Sequence, residues 1–356
     1  MMNSRTNPWT GKVGNVHQVG GIETAVLDNG PGRGARVAWV DTGAGLRYQV
    51  VLDRGMDIGA AFYGAHGLAW LSQVGITPAS PFSDTGINWL RTFGGGLLTT
   101  CGLSHVGGPE EDQYGQRGLH GRISNSTAEV ISVKQPDILG GDLNMHLCGI
   151  VRESSVFGPN LVLKRTISGI LGQPYLKIAD EVTNESNVEA PHMLLYHVNF
   201  GWPLVDEGSR IVWKGAWKSR DGDPNNRIFS GKNDFKSCPP PMKAHNGFGE
   251  DVAFIEPEVE ADNRSRSGIY NPSLGFALRM TFDKRQLPWL VNWQHWGENE
   301  YVTALEPATH PPIGQAKARE EGSLILLQPG EKRSYELMVD ILTEGSKGIK
   351  SFVTTN

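Results

Sequence analysis

The stretch Ser323–Leu342, SLILLQPGEKRSYELMVDIL, decides the fold class. A short apolar run leads into Gly330 and Glu331, and apolar residues then recur at every second position from Tyr335 to Ile341. Period two is the pattern of a strand with one face in a core, so the stretch reads as two strands forming a hairpin about that turn. The same grammar extends outward. Ala35–Val40 and Leu46–Leu52 are apolar runs joined by Asp41, Thr42, Gly43, Ala44 and Gly45, a hairpin-like connection. NLVLKRTI (160–167) and YLKIADEV (175–182) are two further strands, and Thr127–Val133, SRIVWKGAW and GFALRMTF continue the series. Helical signals are local: Ser83–Phe93 places Trp89, Leu90 and Phe93 on one potential turn. The strand–helix alternation of a parallel sheet is missing from the pattern, as is any repeat of fixed period. Asn, Asp, Gly and Pro crowd Ser219–Glu250, a loop region of the kind that rims a site on an antiparallel scaffold. The expectation is one all-β domain spanning residues 1–356, built of large antiparallel sheets and carrying long loops.

Composition agrees. Glycine supplies 45 of 356 residues and proline 21, which argues against a helical bundle. A hydrophobic fraction of 38% suffices for a large core. The formal charge is −5 and no dense basic block occurs, so a nucleic-acid partner is not expected. Cys101, Cys148 and Cys238 are far apart and form neither a disulfide framework nor a thiolate knuckle. No apolar run reaches about 18 residues, and MMNSRTNPWTGK lacks the apolar core of a secretory signal. These features predict a cytoplasmic protein without a membrane partner.

Several residues carry potential chemistry. His120 lies in RGLHGRISN between Gly118 and Gly121, with Arg117 and Arg122 on either side; it reads as a catalytic ring or as a turn histidine bonded to backbone. His192 and His197 are five residues apart in APHMLLYHVNFGWP, which on a strand puts them on opposite faces and makes them a poor metal pair. His197, at the end of the apolar run, is the better candidate. Glu306, in YVTALEPATHPP, falls on the side opposite Leu305, where partial burial would make it a usable base and an arginine partner would make it structural. WQHWGENEY brings Trp293, His295 and Trp296 together, suiting either the apolar face of a sugar or an ordinary core. Arg54 and Asp57 in VLDRGMDIG, Arg91 beside Gly94–Gly96, and Asp251 are candidate ligand contacts. The triple glycine fits neither a P-loop nor a dinucleotide fingerprint. His105, His120, His197, His295 and His310 could converge on a metal through the fold, but no spacing demands one.

Taken together, VLDRGMDIG, RTFGGGLLTTCG, GLHGRISN, YHVNFGWP and YVTALEPATHPP, running from Asp53 to Pro312, resemble the aldose 1-epimerase (galactose mutarotase-like) superfamily. More narrowly, the chain is similar to a bacterial branch described as a domain of unknown function, DUF4432-like. The resemblance implies a β-supersandwich with a ligand cleft. It implies His197 as general acid, Glu306 as general base and His120 as a further active-site histidine. Asp251 would bind sugar hydroxyls and Arg54 or Arg91 would orient the sugar. Arg122, with its donor fork, and His295 and Trp296, in the aromatic patch, are further candidate substrate contacts on their own chemistry. The implied reaction is interconversion of the anomers of a free sugar by ring opening, with no cofactor and no metal. The implied partner is a small carbohydrate, and a homodimer is compatible with the likeness. GFGEDVAF and WQHWGENEY depart from the better-known mutarotase segments. Two other readings stay open: a different sugar isomerase or lyase on the same scaffold, and a carbohydrate-binding protein without catalysis.

Overall fold

A computed structural model describes residues 8–80, 84–220, 228–230, 232–346 and 348–354. Its architecture is the expected one, a layered antiparallel β-supersandwich. The first layer is a meander of Gly21–Val26, Arg36–Asp41, Leu46–Val51, Asp57–Tyr63 and His66–Gly67. Arg36–Asp41 and Leu46–Val51 pair antiparallel, as their sequence signals. Their connection is closed by Asp41 Oδ1, which accepts from Gly43 N at 2.8 Å, and by Gly43 and Gly45 at φ +66° and +88°, a backbone region that suits glycine.

An eight-stranded sheet runs in the order Arg210–Val212, Arg264–Asn271, Phe276–Asp283, Lys332–Thr343, Tyr175–Asn184, Leu161–Ile170, Asn144–Glu153 and Glu129–Lys134. A further sheet runs through Gly215–Ser219, Asp251–Pro257, Trp289–Gly297, Glu300–Ala308 and Ala190–Phe200. Thr99–Leu103 and Ile325–Leu327 both pair with its Ala190–Phe200 strand. All three large sheets send side chains into one core. Tyr48 and Ile58 come from the first, Leu163, Ile178 and Leu337 from the second, and Leu194, Tyr196, Trp296 and Leu305 from the third.

The final stretch departs from its reading as a hairpin. Ile325–Leu327 joins His192 and its neighbours in one sheet, whereas Lys332–Thr343 lies between Tyr175–Asn184 and Phe276–Asp283 in the other. The turn is therefore a crossing between layers. Asn184 pins it: its Nδ2 donates to Leu327 O at 2.8 Å and its backbone N to Glu331 O at 3.0 Å. Period two identifies a strand and its buried face, but it does not choose the neighbour that the strand pairs with. The expected helical turn near Trp89 is a short 3-10 turn, Asn88–Arg91; Ser83 lies outside the described residues. Two short helices, Gly314–Glu320 and Ile349–Thr354, complete the chain. Among the described residues no helix is long and apolar enough to cross a membrane.

Candidate active site

The site follows from strand alternation in the third sheet. On Ala190–Phe200, Leu194, Tyr196 and Val198 point into the main core, and Met193 and Leu195 point to the opposite face, into a smaller apolar cluster. His197 shares that second face. On Glu300–Ala308, Leu305 faces the core and Glu306 the other side. The two strands pair with Leu195 against Ala308 and Val198 against Leu305, so His197 falls opposite Glu306. Thr99 flanks His197 from the next strand and Val291 flanks Glu306 from the other side.

The register brings His197 Nε2 to 3.3 Å from Glu306 Oε1, with both side chains almost fully buried. His120 completes the group. It sits in a turn with φ +59°, held by its N–H on Gly107 O at 2.9 Å and by its carbonyl, which accepts from Gly102 N at 3.0 Å. Its ring centroid lies 6.5 Å from that of His197. Aromatic side chains wall the cluster. Trp89 is 5.0 Å from His120, Phe93 is 5.3 Å from His197, and Trp293 is 5.5 Å from His197 on another side, each centroid to centroid. Trp70 packs edge-on to Trp293. The triple glycine makes this wall buildable: a Cβ on Gly95 would sit 2.5 Å from Trp70 O.

Burial governs the proton affinities. It pushes the Glu306 carboxyl well above the ordinary glutamate range; the Glu250 charge adds to the rise and Arg220 opposes it. Burial pushes His197 down to about 4 and His120 down to about 3, the latter also against the charges of His197 and His105. Two buried polar atoms at the site, His120 Nδ1 and Glu306 Oε1, make no hydrogen bond within the protein, while the Asn199 side chain supports the His197 ring. Buried polar groups are rarely left unmade, and a cluster of them marks where a polar ligand or water belongs.

The other candidates sort differently. Trp296 is fully buried in the main core and donates to Gln294 Oε1 at 2.9 Å, so it is not a ligand platform. Alternation along Trp289–Gly297 gives that place to Trp293, three residues earlier. Trp293 is fixed by its Nε1, which donates to Glu250 Oε2 at 2.7 Å, and by a near-parallel stack on His295. His295 stands behind that indole, with Nδ1 on Gly249 O at 2.6 Å and Nε2 3.3 Å from Glu300. Its part is support rather than the direct contact expected. Asp251 is buried against His245 Nε2 at 2.8 Å, and His245 Nδ1 accepts the Trp296 N–H. This is a brace at the start of a strand, and the residue beside it, Glu250, is the carboxylate that reaches Trp293.

Arg54 cannot orient a ligand at this cluster either. Its guanidinium donates to Ser124 O, Thr77 O, Thr77 Oγ1 and Thr92 O, tying together the loops behind Trp89. Arg122 donates to Ser154 O at 2.5 Å and lies 3.7 Å from Asp84. Arg91 is exposed at the end of the Trp89 turn. Arg220, which donates to Glu250 Oε1 at 2.6 Å, is the arginine associated with the site, and sequence reading passed over it and Glu250 because they sit in the irregular Ser219–Glu250 region, of which residues 221–227 and 231 lie outside the described set.

The histidines do not converge on a metal. His105 Nε2 donates to Gly108 O, His310 is engaged by Thr309 and Ser323, and His192, on the opposite face from His197, lies between Leu103 O and Tyr335 OH. Among the described residues no three His, Cys, Asp or Glu side chains group as a metal site.

The model of the family described as a domain of unknown function, DUF4432, matches residues 32–341. No curated protein matches the sequence. Among solved structures, the chain is similar to a Klebsiella pneumoniae subsp. pneumoniae protein provisionally assigned as an aldose 1-epimerase, with TM-score 0.80 and 24% identity over 90% of this chain and 83% of that one. It is similar to a galactose mutarotase-like protein from Clostridium acetobutylicum, with TM-score 0.60 and 14% identity over 90% and 98% of the respective chains. It is also similar to a galactose 1-epimerase from Lactobacillus acidophilus NCFM, with TM-score 0.57 and 13% identity over 90% and 98%. At identities this low the structural likeness shows a common fold and nothing more.

Proposed function

The chain belongs to the DUF4432 family, and from that premise and the geometry of its buried pair we propose that it interconverts the α and β anomers of a free sugar. The observation that carries the reading is His197 facing Glu306 at 3.3 Å inside an aromatic enclosure, with unsatisfied polar atoms beside them. Anomer exchange needs one group to take a proton while another gives one. A buried carboxyl raised by desolvation and a buried imidazole lowered by it hold one proton between them, as carboxylic acid with neutral imidazole or as carboxylate with imidazolium. Either form contains one donor and one acceptor.

In the proposed step the Glu306 carboxylate removes the proton of the C1 hydroxyl. The C1–O5 bond breaks as the C1 carbonyl forms, and the His197 imidazolium protonates O5. The free aldehyde turns about C1–C2. O5 then attacks the other carbonyl face, Glu306 returns its proton to O1, and O5–H gives its proton to His197. The pair ends as it began, so no cofactor enters the balance. His120 Nδ1 is available to hold a sugar oxygen. Trp293, which is only partly buried, offers flat apolar surface to the C–H faces of the ring. The likeness to mutarotase folds supports the same reading.

The test is polarimetry on freshly dissolved α-aldoses with the wild-type chain, Glu306→Gln and His197→Asn. Acceleration by the wild type and its loss in both variants are expected. Tight sugar binding without acceleration would instead make the protein a carbohydrate-binding one.

A further inference from the structure

Directly behind the acid–base pair lies a buried charge network that the reaction does not touch. Arg165, on Leu161–Ile170, has a side chain 0% exposed. Its Nε and Nη2 donate to the Asp180 carboxylate at 3.0 and 2.7 Å, and its Nη1 donates to Asp57 Oδ1 at 3.0 Å and Gly55 O at 3.1 Å. Each carboxylate has a second tie. Asp180 Oδ2 accepts from Tyr196 OH at 2.7 Å. Asp57 accepts from Thr100 twice, from the backbone N at 3.0 Å and from Oγ1 at 2.6 Å.

The endpoints of this network are not scattered. Tyr196 and Thr100 are cross-strand partners, and the next pair along the same two strands is His197 with Thr99. Adjacent strand residues point to opposite faces, so the network grips the inner face of a strand pair whose outer face carries His197. Asp57 comes from the first sheet, Arg165 and Asp180 from the second, and Tyr196 and Thr100 from the third. Three layers are thereby joined at one point, one residue behind the imidazole.

Stability alone is a weak account of such an arrangement. Buried ion pairs lose about as much in desolvation as they regain, and apolar replacements of like volume often stabilise as well. What a guanidinium fork adds is direction, since it accepts only one geometry of its carboxylates. We infer that Arg165, acting through Asp180–Tyr196 and Asp57–Thr100, is a positioning residue that fixes the depth and register of His197 against Glu306. The inference rests on the reading of His197 and Glu306 as the reacting pair, yet it concerns geometry that can be measured without turnover.

The test removes the two contacts to the site strands one hydroxyl at a time, with Tyr196→Phe and Thr100→Val, and removes the charges together in Arg165→Met/Asp57→Asn/Asp180→Asn. Three quantities are read: thermal unfolding, the imidazole NMR signals of His197 across pH, and kcat and KM for mutarotation. The single variants are expected to fold, to shift the His197 signals and their titration, and to lower kcat about tenfold with KM little changed, because small misplacements of a reacting group cost turnover rather than binding. Lower thermal stability with wild-type His197 signals and wild-type kcat would overturn the inference and leave the network a purely stabilising one. If Tyr196→Phe does not fold, Thr100→Val and the charge-free variant decide by the same signals. If the wild type accelerates no sugar, the functional reading fails by itself, and the His197 signals still decide for or against positioning.

Discussion

Glu306→Gln should silence the protein and, above mildly acidic pH, make it more stable. The side chain is 4% exposed, and burial raises its carboxyl well above the ordinary value of 4.5. Between pH 4.5 and that raised value the folded chain keeps a proton that the unfolded chain has released. Wild-type stability contributed by this group is therefore fully present below 4.5 and is lost as pH rises through the folded value, at about 1.4 kcal/mol per pH unit for one proton. Glutamine fills nearly the same volume and binds no such proton. The stability gap between variant and wild type should be small near pH 4.5 and widen with pH in favour of the variant, then level off. Histidines distant from Glu306 titrate alike in both proteins and cancel in the difference, whereas His197 shares its proton with Glu306, so the gap reports the pair. Activity should move the other way, because loss of a general base typically costs about 10²–10⁴-fold, or about 3–5 kcal/mol of barrier. Urea unfolding at a series of pH values, beside polarimetry at neutral pH, measures both. A gap that is flat with pH, or that favours the wild type at pH values well above neutral, would refute the desolvated carboxyl; a variant within about threefold of wild-type turnover would refute its part in proton transfer.

Further outcomes follow from the same geometry. His197→Asn should lose about 10²-fold or more in turnover. It should also flatten acid destabilisation: the wild-type imidazole, ordinarily 6.5 and pushed down to about 4, costs stability as pH falls from 6.5 toward 4, which denaturant titration will detect. Trp293→Ala should raise KM at least about tenfold through loss of an aromatic surface, whereas Trp296→Ala should cost about 3–5 kcal/mol of stability, with KM kept in whatever fraction folds; the reverse pattern would return Trp296 to the site. Arg122→Ala should leave kcat/KM within about twofold, since its contacts are a surface carbonyl and a loose ion pair; a large fall would place it on the ligand after all.

The candidate pair was legible in the chain because it depends on local alternation. His192 and His197, five residues apart, occupy opposite faces, and Glu306 points away from Leu305, as period two requires. The same rule separates Trp293 from Trp296 but does not say which of them faces the core; of the two residues expected at a ligand, His295 shares the face of Trp293 and Trp296 turns into the core. The arginines were less legible still. Arg54, Arg91 and Arg122 stand close to the motif residues in sequence, yet a guanidinium on a long stem takes whichever carbonyls and carboxylates the packed loops bring near, and for Arg54 these come from Ser124, Thr77 and Thr92. Arg220 and Glu250, in irregular chain, carried no periodic signal at all.

By itself the sequence determined that this protein is built of antiparallel strands, and that His197 lies opposite His192 and Glu306 opposite Leu305 on their strands, because backbone dihedrals and side-chain alternation are set by near neighbours along the chain. Only the tertiary structure decided that Ile325–Leu327 leaves its own hairpin for the Ala190–Phe200 strand, that His197 meets Glu306 across more than a hundred residues, and that Arg165 ties three layers behind them. Those choices rest on covering apolar faces and pairing buried backbone polar groups at once, a condition on the whole chain that no short segment contains.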